Sequence, residues 1–258
     1  MTDAGFSLQK AYFDRLCSEV LTSSQPEGEG GIGTLGEKRM HALIKRYLCP
    51  NADFHEVAME GARYVADVRV GDEILEVQTG GFFPMKKKID YYLQKTPCQV
   101  TVVHPIPAVK WISWIDPVTY DISKPKRSPR RGTLLDLLPE LYSLLPMLKN
   151  ERLSFRVLLL EVQEFRWRNG YSRDRKRGSE RYERLPVSLL EDRSFTTPED
   201  FAALLPEELK TGEFTVKQFS AATHLRGRDA YSAVHALEEM GVLLPVAPIG
   251  RAMAFRVK

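Results

Sequence analysis

Apolar residues recur at helical spacing twice near the start of the chain. Phe13, Leu16, Cys17, Val20 and Leu21 form one stripe over residues 6–22, and Met40, Leu43, Ile44 and Tyr47 form a second over residues 37–48, which Pro50 stops. A polar, glycine-rich stretch separates them. The period then shortens to two. Residues 54–59, 63–70 and 73–78 predict strands, the last two joined by Gly71-Asp72, a two-residue hairpin turn. Residues 84–93 predict a helix, and 99–104 (QVTVVH) a buried strand by its β-branched content. Residues 111–115 and 119–122 predict a hairpin around Asp116-Pro117. Residues 133–148 are leucine-rich and helical but broken by Pro139 and Pro146, and 155–165 predict a long apolar strand. The pattern changes near residue 193. Thr197 opens a capping-box-like TPED before a short helix, 215–222 and 228–240 predict two more helices, and 243–246 and 252–257 two short strands around Pro248-Ile249-Gly250.

The hairpin carries the first candidate chemistry. With Gly71-Asp72 as the turn, Val70 pairs with Glu73, Val68 with Leu75 and Asp67 with Glu76. Asp67, Glu76 and Gln78 then share one face, and Ala66, Val68, Leu75 and Val77 the other. Facing carboxylates, with Cβ atoms roughly 5 Å apart, repel each other. A divalent cation turns that repulsion into a binding site, and hard oxygen ligands suit Mg²⁺ or Mn²⁺. The competing reading is a solvent-facing hairpin with acids by chance, and a one-residue register slip separates the pair.

Composition bounds the rest. The chain has 258 residues, 43% of them apolar, which suffices for one large domain or two modest ones. A net charge of +3 implies no nucleic-acid binding by itself, so a basic surface must come from local clusters. Residues 124–131 (KPKRSPRR) contain no acid, and residues 166–184 interleave arginines with Trp167, Tyr171 and Tyr182. Such loops track phosphates and stack on bases, or else are solvated charge runs. Cys17, Cys49 and Cys98 have no zinc spacing, and the N-terminus lacks the features of a signal peptide. These two observations predict a soluble, cytoplasmic protein with no membrane association.

Other signals are weaker. The loop GEGGIGTLGEK matches GxGxxG but follows a helix rather than a strand, so it reads as a linker placing Glu37. The histidines show no ligand spacing. His104, at the end of a core strand, reads as structural or as lining a cleft.

Glu37 in GEKRMHALI, Asp67 in YVADVRV and Glu76-Val77-Gln78 in EILEVQTGG, in the order helix, three strands, helix, strand, resemble the PD-(D/E)xK nuclease superfamily over roughly residues 30–110. The resemblance implies an α/β, restriction-endonuclease-like mixed sheet flanked by helices. It implies Mg²⁺ (or Mn²⁺) held by Asp67, Glu76 and the Val77 carbonyl, with Glu37 as an outer or second-metal ligand. Gln78 stands where the family usually has lysine, so Lys86, Lys87 or Lys88 from the next helix is a substitute source of charge, or else the run is a solvated helix face or a phosphate contact. The last 60 or so residues resemble a winged-helix domain, whose third helix enters the major groove. The expected organisation is therefore a nuclease-like domain over residues 1–192 and a winged helix over 193–258. The expected partner is DNA, with RNA and a homodimer left open. Lys86, Lys87, Lys88, Lys126, Arg127, Arg130, Arg131, Arg175, Lys176, Arg177, Arg226, Arg228 and Arg251 are the candidate contacts. The resulting function is a metal-dependent endonuclease; the alternative is a non-catalytic DNA-binding regulator on a degenerate nuclease fold.

Overall fold

The computed structural model describes residues 3–22, 35–170 and 180–258, with side chains over 5–20, 39–170 and 180–258. Most of the glycine-rich loop, together with Arg175, Lys176 and Arg177, lies outside the described residues. Glu37 is described only as a backbone position.

The protein is α/β. Its larger, mixed sheet has the strand order β1-β2-β3-β4-β6-β7 with β5 beside β4. The strands are β1 (His55–Ala58), β2 (Val65–Val70), β3 (Glu73–Val77), β4 (Gln99–Ile115), β5 (Lys126–Arg127), β6 (Leu153–Trp167) and β7 (Arg181–Phe195). The β2–β3 hairpin is antiparallel, in the register Val70↔Glu73, Arg69↔Ile74, Val68↔Leu75. Gly71 takes φ +57°, which the turn needs and which only glycine adopts at little cost. β3 and β4 run parallel from Glu73↔Gln99 to Val77↔Val103, joined through helix α3 (Lys86–Lys95), as a parallel pair requires a crossover.

Two compact units divide the chain. The first comprises Met1–His55, Pro105–Thr133 and Leu158–Asp192. It holds helices α1 (Asp3–Thr22) and α2 (Leu35–Leu48), packed through Phe13, Leu16, Leu43 and Ile44, and the distal parts of β4 and β6 with most of β7. The second comprises Glu56–His104, Leu134–Val157 and Arg193–Lys258. Its aromatic core runs from Phe82, stacked on Phe155 at 6.1 Å, to Phe201 and Phe195. Arg152 donates to the carbonyls of Leu93, Thr96 and Cys98, satisfying acceptors left open at and beyond the end of α3. Residues 134–147 form the expected broken helix, with 3-10 turns on either side of α4 (Leu138–Leu141).

Residues 193–258 belong wholly to the second unit. They contain α5 (Pro198–Leu204), α6 (Glu207–Lys210), β8 (Phe214–Thr215), α7 (Val216–Thr223), α8 (Arg228–Glu239), β9 (Leu243–Ile249) and β10 (Ala252–Val257), the strands forming a small sheet in the order β8-β10-β9. Thr197 and Thr215 both cap their helices through capping boxes, with Asp200 and Gln218. The inner face of α8 (Ala230, Ala233, Val234, Leu237) is buried, and α8 packs against α4.

Three expectations need correction. β4 continues eleven residues past His104, through Pro105 and Pro107. Residues 181–184 are strand rather than loop, the start of β7, which charge and Pro186 conceal. The expected hairpin at 119–122 is reduced to a turn closed by an Ile115↔Ile122 bridge.

Candidate metal centre

The hairpin places Asp67 and Glu76 as its turn dictates, but in the interior rather than in solvent. Ala66, Asp67 and Val68 are all buried, and on the acids' own face Ile74 is fully buried beside Glu76. The hairpin is therefore covered on both sides, which rules out the solvent-facing reading. The backbone ladder stops at Val68↔Leu75. At the next pair the side chains take over. Asp67 donates its N–H to Glu76 Oε1 (3.3 Å), and Val77 donates its N–H to Asp67 Oδ2 (2.8 Å). Each acid thus accepts a hydrogen bond from a backbone N–H of the opposite strand, and the two carboxylates are fixed side by side.

Helix α3 completes the site. Lys88 and Tyr92 are four residues apart and so share one helix face. Lys88 Nζ lies 2.5 Å from Glu76 Oε2, and Tyr92 donates its hydroxyl proton to Glu76 Oε1 at 3.0 Å. Burial pushes the Glu76 carboxyl up, the neighbouring Asp67 charge pushes it further, and Lys88 and Tyr92 only partly offset them. It reaches about 7. Burial and the charge on Glu76 likewise push the Tyr92 phenol upward, so it stays a donor. Lys86 and Lys87 sit on the same helix without contacts of this kind among the described residues; Lys87 is exposed.

A further acid, which sequence reasoning missed, comes from β1. Glu56 is exposed, has φ +53°, and offers a carboxylate oxygen within 4.8 Å of one from Asp67. Left-handed backbone at a non-glycine residue costs of order 1 kcal/mol and persists where the surroundings impose it. No feature of the local sequence HEVA announces it.

Gln78 is adjacent but otherwise engaged. Its amide donates to the Gly81 carbonyl at 2.8 Å, its N–H to Val103 O at 2.9 Å, and its own carbonyl accepts from His104 Nδ1 at 2.6 Å. His104 therefore carries its proton on Nδ1, and burial holds it neutral against the opposing effects of that bond, Glu140 and Asp136. Its ring is buried and meets Phe82 edge to face at 5.0 Å.

The donor set fits a hard divalent cation. Two buried carboxylates are locked together by the fold, Glu56 approaches Asp67, and burial with the Asp67 charge holds the Glu76 carboxyl above its ordinary value. Among the described nucleic-acid candidates, Lys126, Arg127, Arg130 and Arg131 are exposed around β5, and Arg226, Arg228 and Arg251 are exposed in the C-terminal segment. Ser232, in the first turns of α8, is buried.

Residues 38–196 match the family described as "Domain of unknown function (DUF8091)", and the chain belongs to that family. It is also similar to an "Uncharacterized protein" of Treponema pallidum (strain Nichols), 29% identical over 148 residues, 56% of this chain and 57% of that protein. The chain thus aligns with just over half the length of that relative. No solved structure matches it. Among the described residues no helix is long and apolar enough to cross a membrane.

Proposed function

We propose that this chain is a metal-dependent DNA endonuclease-like protein that hydrolyses phosphodiester bonds at Asp67 and Glu76. The observation that carries this reading is the buried, cross-bonded Asp67–Glu76 pair with Lys88 set against Glu76. Asp67, Glu76 and the Val77 carbonyl would hold Mg²⁺ or Mn²⁺, with Glu56 in reach of the same centre. A bound ion would polarise the scissile phosphate and lower the pKa of an attacking water. The chain's own residues supply the rest. Lys88 brings the positive charge that Gln78 lacks, placed where negative charge grows on the phosphate. Gln78 braces the turn after β3 through Gly81, and Tyr92 holds Glu76 in its rotamer.

The C-terminal order of helices and strands supports a winged-helix module delivering duplex DNA. Because α8 packs on α4 and buries Ser232, its contacts would come from Arg226 and Arg228 at its start and from Arg251 between β9 and β10. The alternative, a DNA-binding regulator without cleavage, rests on Gln78, whose amide is committed to Gly81. Plasmid nicking separates the two. The nuclease reading expects nicking in Mg²⁺ or Mn²⁺ that stops in EDTA and in Asp67→Ala. Tight, salt-sensitive DNA binding with no nicking under any metal would decide for the regulator.

A further inference from the structure

Glu164, on β6, is completely buried and sits among three cations, all in the first unit. Arg184 donates to its Oε2 through Nε (2.8 Å) and Nη2 (2.6 Å), Arg166 donates to its Oε1 through Nε (2.6 Å) and Nη2, and Lys110 Nζ lies 4.0 Å from Oε2. One carboxylate neutralises one cation, so the cluster keeps a formal excess of two positive charges. Lys110 is 16% exposed and its ammonium makes no hydrogen bond among the described residues, only the long ion pair. Burial, then the charges of Arg184, Arg166 and Arg130, hold its pKa below the ordinary lysine value against the pull of Glu164. Folding therefore assembles unneutralised positive charge and fixes two guanidinium groups in place before any ligand arrives, an arrangement that suits a phosphate.

Aromatic rings adjoin these cations in the chain. Trp167 follows Arg166 at the end of β6, and Tyr182 precedes Arg184 by two residues at the start of β7. The Trp167 ring meets Tyr182 at 5.5 Å and Tyr120 at 6.0 Å. Tyr120 is 62% exposed at the tip of the turn after β4, held at φ +62°, with Val118 exposed beside it. An exposed aromatic cluster borne on the same strand ends as these cations suits bases unstacked from one another along a phosphate backbone, which duplex DNA does not present because its bases are already stacked.

We infer that Lys110, Arg166 and Arg184, with Tyr120, Trp167 and Tyr182, form a binding track for single-stranded nucleic acid, separate from the Asp67–Glu76 centre. This deepens the nuclease reading by naming the strand the first unit holds, but it uses other residues and can be tested without cleavage. The probe is a fluorescein-labelled oligo(dT) and a duplex of equal length, followed by anisotropy in EDTA with full-length Asp67→Ala protein. The oligo(dT) binds, and substitutions in the track weaken its binding more than that of the duplex. Trp167→Ala weakens oligo(dT) binding by about tenfold and Trp167→Phe restores most of it. Tyr120→Asn, at an exposed left-handed position that asparagine tolerates, weakens it severalfold without changing the fold. Lys110→Gln flattens the slope of log K against log salt by about 0.7. Absent oligo(dT) binding, or wild-type affinity and salt slope in Tyr120→Asn and Lys110→Gln, would overturn the track. Any of these results leaves the metal centre standing, since neither metal nor cleavage enters the measurement.

Discussion

Lys88 Nζ lies 2.5 Å from Glu76 Oε2, so α3 sets an ammonium group against the buried carboxylate two residues before Gln78. If that ammonium stabilises a phosphate during hydrolysis, Lys88→Ala lowers the nicking rate by about 10²–10³-fold, the usual loss for one electrostatic group. Metal affinity measured by calorimetry stays within a few-fold of wild type. Unchanged nicking by Lys88→Ala would confine Lys88 to a structural ion pair.

The raised carboxyl of Glu76 links stability to pH. Its folded value of about 7 exceeds the ordinary 4.5, so the folded state binds the proton more tightly. That contribution is fully present below about pH 4.5 and is lost as pH rises through 7; the shift corresponds to about 3 kcal/mol. Glu76→Gln therefore melts several degrees above wild type at pH 8 without metal, and the gap closes toward pH 5. Equal melting curves at both pH values would show that Glu76 is not under this strain.

Glu56 carries backbone strain beside Asp67. Glu56→Gly, which relaxes a positive φ and removes a like charge, raises metal-free stability by about 1 kcal/mol in urea titrations. The same change weakens Mn²⁺ binding. A variant both less stable and equally able to bind metal would separate the strain from the site.

Tyr92 is buried with its hydroxyl on Glu76. Tyr92→Phe leaves that oxygen without this donor and costs about 1–2 kcal/mol, more at pH 8 than at pH 5 because the ionised carboxylate needs the bond most. Chemical denaturation at the two pH values reads the difference.

The parts that local chemistry governs were legible in the sequence. Period-two alternation around Gly71-Asp72 located the acid pair, TPED located the cap at Thr197, and the stripe ending at Gly241 located α8. Features set by distant partners were not. β4 runs past Pro105 and Pro107 because Gly132 packs against it: Gly132 N donates to Pro107 O, and a Cβ there would lie 2.6 Å from Ile106 Cγ2. β7 looked like a charged loop because Arg184 is matched by Glu164 from another strand. The aim of Lys88 at Glu76 needs the β3–α3 geometry, and the positive φ of Glu56 has no local signature.

The central claim is that Asp67 and Glu76 form a divalent-metal site. Calorimetric titration of Mn²⁺ into metal-free protein at pH 7.5 tests it most directly, read together with the melting temperature, which ligand binding raises. The expected result is saturable binding and a higher melting temperature in the wild type, both lost in Asp67→Ala while that variant remains folded. Absence of binding in the wild type, or undiminished binding in folded Asp67→Ala, would contradict it.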